Sequence, residues 1–281
     1  MIKIATDSTH DLPPEIMQQH DIAVVPINIL FGADGYLDGI TIDRAAFYQK
    51  IDELGVLPKT SQPSAGQFVE VYNRLAGEGA TDIISLHVGA KLSGTVQSAE
   101  MAKDMVAGRV RVHPFDSSGG SAGLGFLILE ALRMIEAGKT VADILARLEA
   151  IRPRINILLT VRDLRYAQMS GRIGRIQASV ASLLNIKPII VLKDGLLSVG
   201  GKARTQRKAI DQIVQMMVER LDTLAPVNLA AIHAEAPEAA HALLDRAKSL
   251  LDCRESFVSD LAACLAVHFG PGTVGLVGYQ R

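Results

Sequence analysis

Two periods of apolar and polar residues organise the chain. Short β-branched runs read as buried strands, and between them apolar residues recur at helical spacing. In the first half the strand candidates are Ile2–Thr6, Ile22–Leu30, Asp82–Val88 and Val110–Phe115. Helices are predicted from Asp11 to His20, around Phe47, Ile51 and Leu54, and from Ser64 along Phe68, Val71, Tyr72 and Leu75. Ser93 opens another, striped by Val96, Ala99, Ala102 and Val106, and a long apolar helix runs to Ala137. Thr140 caps one more, ending at Arg152-Pro153. Strands alternating with helices imply a parallel sheet covered on both faces.

The second half changes character. Ile155–Val161 is a strand, Ser170–Asn185 a Gly/Arg loop and helix, and Ile189–Val199 a hairpin around the turn dipeptide Asp194-Gly195. A helix striped by Ile210, Ile213, Met217 and Leu221 follows. Strand Val227–Ala234, a helix around Leu243–Leu251 and strand Thr273–Tyr279 finish the chain. A hairpin inside an α/β pattern implies a mixed sheet. The expected fold class is therefore α/β with two domains, an N-terminal parallel α/β/α sandwich over 1–152 and a C-terminal mixed-sheet α/β domain over 153–281.

Composition narrows the function. A net charge of -1 with no long basic run argues against a nucleic-acid surface, and aromatics at 4% leave few stacking platforms. Cys253 and Cys264 have neither disulfide-framework nor zinc spacing and read as core thiols of a reducing compartment. No apolar run reaches the roughly 18 residues a spanning helix needs, and the N-terminus reads as a strand rather than a signal peptide, so the cytoplasm is the expected location. The seven histidines show no metal-binding pair.

Candidate chemistry gathers beyond the strand ends, at Asp7-Ser8, Ser93-Gly94 and Asp116-Ser117. In parallel sheets the ligand crevice lies there. Ser93 is the expected N-cap, and Gly94 would let a small anion approach the unpaired first amides of the helix. A satisfied cap is the plainer alternative. Gly138-Lys139-Thr140 lacks the first glycine of a phosphate loop and reads as a helix end followed by a cap. Gly119-Gly120-Ser121-Ala122-Gly123 matches a nucleophile elbow, with Asp194 or Asp260 and His233 or His268 downstream, so a serine esterase using Ser121 stays open. A small-anion sensor is a third reading. His268 stands in a rigid turn, His268-Phe269-Gly270-Pro271-Gly272, before the last strand. Arg172, Lys202 and Arg204 could form an anion-facing rim or a docking surface.

The ordered set carries more than its members. Thr6-Asp7-Ser8-Thr9, Lys59-Thr60-Ser61-Gln62-Pro63-Ser64 and Leu92-Ser93-Gly94-Thr95 are followed by Asp116-Ser117, Ser170-Gly171-Arg172-Ile173-Gly174, Asn185-Ile186-Lys187-Pro188 and the His268 turn. Over essentially the whole chain this resembles the DegV family of bacterial fatty-acid-binding proteins. The resemblance implies a long-chain fatty acid enclosed between two domains, no catalysis by the chain itself and no cofactor. It implies that the bound acid is presented to a separate ATP-dependent fatty acid kinase, which makes the acyl phosphate. Thr60 and Ser93 would hold the carboxylate with Ser61 and Gly94 beside them, and His268 would complete the head-group site. Arg172 or Arg204 would lie close to the phosphorylated product or the kinase. Ser170 departs from the family, which usually has a further glycine there. Partners would thus be the acid and the kinase, with room for transient contact with a membrane surface.

Overall fold

The computed structural model of the chain describes residues 1–162, 166–167, 170–172 and 186–280. Its internal contacts divide it into two units, Met1–Arg152 with Ala262–Cys264, and Pro153–Leu261 with Leu265–Arg281.

The first unit is built on a four-stranded sheet in the order β2-β1-β6-β7. Its strands β1 (Ile2–Asp7), β2 (Ala23–Val25), β6 (Asp82–His87) and β7 (Arg111–Asp116) all run parallel. Every residue of β6 is buried, as a central strand with both faces covered requires. Helix α1 (Pro14–Gln19) follows β1, and α2 (Arg44–Leu54), α3 (Ala65–Gly77), α4 (Thr95–Met105), α5 (Ala122–Glu136) and α6 (Val141–Ile151) complete the unit. The sequence marks two of these starts well. Ser64 with Gln67 and Thr140 with Asp143 each form a reciprocal capping box. One core joins Phe68, Tyr72 and Leu75 of α3 to Ala99 and Ala102 of α4 and to Ala5, Val25, Ile83 and Val112 of the sheet.

The expected single strand Ile22–Leu30 is two strands. Pro26 has no N–H for a ladder, and beyond it β3 (Asn28–Phe31) leaves the parallel sheet. It lies between β4 (Asp34–Leu37) and β5 (Lys59–Ser61) in a small antiparallel sheet that the periodicity does not reveal. Thr60 therefore sits on a strand, paired with Ile29, and not in a loop.

The second unit holds a six-stranded mixed sheet in the order β10-β9-β8-β13-β11-β12. Its strands are β8 (Asn156–Thr160), β9 (Lys187–Lys193), β10 (Leu196–Ala203), β11 (Val227–His233), β12 (Cys253–Asp260) and β13 (Val274–Gln280). Only β11–β12 is a parallel pair among them. The β9–β10 hairpin turns at Asp194 (φ 53) and Gly195 (φ 76), two left-handed residues as a type I′ turn demands. Helices α7 (Gln206–Arg220) and α8 (Pro237–Lys248) place Ile213, Val214, Met217, Leu243, Leu244 and Ala247 in one core with Leu229, Ala231 and Leu276 of the sheet. Strand β12 and helix α9 (Ala263–Phe269) are absent from the sequence reading. Of the predicted segment Ser170–Asn185, residues 173–185, with Gly174 and Asn185 of the motifs, lie outside the described residues.

Candidate functional site

Parallel pairing of β1, β6 and β7 brings the segments after all three strands to one edge of the sheet. Asp7, the last residue of β1, is wholly buried and ties two of them together. Its Oδ1 accepts from Thr9 N at 3.0 Å and Thr9 Oγ1 at 2.6 Å, and its Oδ2 from Val88 N at 2.9 Å. His87 Nδ1 lies 3.2 Å from the same Oδ2. Burial alone would raise this carboxyl, but the His87, Thr9 and Val88 donors outweigh it and hold the pKa below its usual value. An ionised carboxylate only accepts, so the His87 proton on that side sits on Nδ1. His87 Nε2 then meets Ser85 Oγ at 2.6 Å, and Ser85 meets Tyr72 Oη at 2.8 Å. Four buried polar side chains, Asp7, His87, Ser85 and Tyr72, thus form one continuous chain through the sheet.

Asp116 does the same for β7. Its Oδ1 accepts from Ala90 N at 3.1 Å and Ser118 N at 2.7 Å. Gly89 N donates to Gly119 O at 2.7 Å and Ser117 N to His87 O at 3.0 Å. The turn from Val88 to Gly94 is therefore anchored from both flanking strands.

Ser93 stands at the end of that turn. The expectation that it caps α4 is corrected: Gly94 is the N-cap residue, with no side-chain cap, and the helix proper starts at Thr95. The Ser93 hydroxyl meets Thr95 Oγ1 at 2.8 Å and is half-buried. Gln62 packs directly on the side of Gly94 where a side chain would stand. A methyl group added at Gly94 would fall 2.1 Å from Gln62 Oε1. The end of β5, with half-buried Thr60 and exposed Ser61, is thereby a neighbour of Ser93-Gly94. The sequence pattern of unit one thus converges where the strand ends predict, but through Gln62, which periodicity and motif spacing do not single out.

A second buried cluster lies in this unit. Asp11, left-handed at φ 44, accepts from Ser121 Oγ at 2.5 Å and from Ala262 N at 2.7 Å. Burial drives its pKa up to about 7 against those hydrogen bonds. Ser121 itself has φ 55 and ψ -149, a sparsely populated backbone. Its hydroxyl is committed to a carboxylate rather than to an imidazole base. Ser8 Oγ lies 3.7 Å from the buried Cys264 Sγ and accepts from Ile27 N at 3.1 Å.

In the second unit His268 is not in a turn, as expected, but in the last turn of α9, and is half-buried. The turn proper begins at Gly270 (φ 75), where the Tyr166 ring leaves no room for a side chain. Thr273 Oγ1 staples it by donating to Phe269 O and Gly270 O at 3.0 and 2.8 Å. Burial, and then the positive charge of Arg172, lower the His268 pKa to about 4, so the imidazole is neutral at pH 7. Arg172 is exposed and donates to Ser170 O at 2.6 Å, and Arg204 is exposed just past β10. His233 Nδ1 lies 3.3 Å from Asp260 Oδ1. Among the described residues no group of acidic, His or Cys side chains could hold a metal ion, and no helix is long and apolar enough to cross a membrane.

A family model described as "Uncharacterised protein, DegV family" matches residues 1–281. This chain belongs to the DegV family. A DegV domain-containing protein, BH3627 of Halalkalibacterium halodurans, is 34% identical over 278 residues, covering 99% of this chain and 98% of the relative. Among solved structures, a fatty-acid-binding DegV family protein from Thermus thermophilus superposes with a TM-score of 0.92 at 36% identity, covering 100% of this chain and 99% of that one. A stearic-acid-binding protein from Eubacterium ventriosum gives a TM-score of 0.92 at 28% identity, with coverage of 100% and 98%. The α/β architecture, with its parallel and mixed sheets, is that of the DegV structures.

Proposed function

We propose that this DegV protein binds a long-chain fatty acid and offers its carboxylate to a separate ATP-dependent kinase, which forms the acyl phosphate. The observation that carries the reading is the full-length likeness to DegV structures that hold fatty acids, stearic acid in one. The chain acts without a cofactor and without catalysis of its own, in the cytoplasm. Thr60 and Ser93 hold the carboxylate, with Ser61 and Gly94 beside them. His268 contributes a neutral imidazole to head-group recognition, and Arg172 and Arg204 serve the phosphorylated product or the kinase.

Physical chemistry supports this division of labour. At ~0.8 kcal/mol per buried methylene, about fourteen methylenes contribute a gross ~11 kcal/mol, much of it offset by association costs. The tail therefore supplies affinity, and the polar groups supply position. Neutral hydroxyls suit a carboxylate that must later attack a phosphoryl group. A bidentate arginine clamp would stabilise the ground state instead.

Denaturing extraction of the purified protein followed by mass spectrometry is expected to release a long-chain fatty acid. Ser93→Ala and Thr60→Ala should keep part of the lipid but slow acyl-phosphate formation with kinase and ATP by about 10–150-fold, the loss of one hydrogen bond to a charged group. Wild-type turnover in both variants would refute the assignment. The esterase reading gains nothing from Ser121, and a fluorophosphonate probe is expected to leave the protein unlabelled.

A further inference from the structure

Gly94 has φ -77 and ψ 11, a backbone that any residue adopts, so conformation does not explain a glycine there. Contact does. A Cβ at this position would lie 2.1, 2.6 and 2.7 Å from the Oε1, Cδ and Nε2 atoms of Gln62, closer than packed atoms come. The amide is the end of an exposed side chain, and one hydrogen bond seats it there. Its Nε2 donates to Ser98 Oγ of α4 at 3.3 Å. The main chain at Gln62 is fixed separately: its carbonyl accepts from Asn28 Nδ2 at 3.0 Å, and Asn28 Oδ1 in turn accepts from Gln67 Nε2 at 3.5 Å. One side chain thus reaches from the end of β5, two residues past Thr60, to the residue next to Ser93.

Resting on the fatty-acid reading, we propose that Gln62 is a positioning residue of the head-group site: its amide, seated on Gly94, sets the gap between the Thr60 strand and the Ser93 turn. A neutral side chain is required there because the ligand's carboxylate lies beside it. A spacer of this kind has two signatures. Bulk added at Gly94 must be relieved by bulk removed at Gln62. Charge added at Gln62 must act on the head group and spare the tail.

The stability of Gly94→Ala, Gln62→Ala and the double variant is measured by urea denaturation on delipidated protein, with palmitate and 1-hexadecanol as binding probes. Gly94→Ala is expected to lower the midpoint, and the double variant to recover the midpoint of Gln62→Ala alone. Palmitate affinity is not expected to return with it, because the spacer is still missing. Gln62→Glu, nearly isosteric, should keep the wild-type midpoint and weaken palmitate by more than about tenfold, the like-charge effect, while hexadecanol binding is unchanged. Additive losses in the double variant, or equal weakening of both probes by Gln62→Glu, would overturn the proposal. If the wild type binds neither probe, the fatty-acid reading fails, and the urea cycle alone still decides whether Gln62 sets the gap.

Discussion

The two segments that bear Ser93 and Thr60 are fixed by opposite means. The turn before Ser93 hangs on a fully buried, ionised carboxylate that takes the Val88 amide, the Thr9 amide and hydroxyl, and the His87 ring. The strand bearing Thr60 is a three-residue edge held to β3 and steadied by the neutral amides of Asn28, Gln62 and Gln67 near the surface. A buried charge is cheap only while every donor is present, so the first arrangement is rigid and brittle. Exposed or half-buried amides can turn to water when a partner is lost, so losing one hydrogen bond costs the fold less there. On the proposed reading, one rigid and one forgiving wall would hold a carboxylate in register and still admit it.

The most damaging break is at Asp7. Asp7→Ala leaves Val88 N, Thr9 and His87 without their acceptor and is expected to cost several kcal/mol, at about 1–3 kcal/mol for each buried donor left unsatisfied. Urea unfolding of the variant checks this. A loss below about 1 kcal/mol, typical of an ordinary hydrogen bond, would erase the contrast.

Asp11 sharpens it, because this buried carboxyl lacks a full set of donors and has its pKa raised to about 7. Arg44 pulls that value down and Asp38 pushes it up, so the burial that drives it is only partly offset. A carboxyl whose folded value exceeds its unfolded one stabilises fully below the unfolded pKa, and that stability drains away as pH rises to about 7. Asp11→Asn keeps an acceptor for Ala262 N and removes the titration. The variant should gain on wild type between pH 4 and 7 and hold its advantage above, by roughly 1–3 kcal/mol, as read from melts across that range. A constant difference between the two proteins would show that Asp11 does not titrate there.

The smallest effect is expected at Asn28. Asn28→Ala removes one donor to the Gln62 carbonyl and one acceptor for Gln67. Its cost should stay under about 1.5 kcal/mol, with only a modest fall in palmitate affinity. An Asn28→Ala loss as large as that of Asp7→Ala would mean that the two walls are not different in kind.

Much of this architecture is written locally. Capping boxes at Ser64 and Thr140, the Asp194-Gly195 turn and the apolar stripes of α3 and α7 each act within a few residues, so the chain alone displays them. The small antiparallel sheet escapes because its strands are three or four residues long: apolar β3 merges with β2 into one run, and β4 and β5 are too polar to show a period. Strand β12 escapes for a related reason: at the sheet's edge it is half-exposed, with Arg254 and Glu255 interrupting its apolar residues. As proposed binding residues, Thr60, Ser93 and His268 enter through the resemblance of ordered motifs. What holds the Thr60 and Ser93 segments does not. Asp7 meets His87 across 80 residues and Gln62 meets Gly94 across α3, and no spacing rule announces either contact.

The break at Pro26 carries one last implication. A single run of backbone leaves the parallel sheet as β2 and enters the small sheet as β3, with Ile27 N pinned to Ser8 Oγ at the crossing. Ladder pairing joins Thr60 to Ile29, covalent backbone through Pro26 and Ile27 leads from β3 back to β2, and ladder pairing resumes from Val25 to Asp7 and from Thr6 to Leu86 of the strand that ends before Ser93. The strand that bears Thr60 is thus tied through backbone to the sheet that leads to the Ser93 turn, so both segments are ordered before any ligand arrives, and less of that ordering has to be supplied by binding.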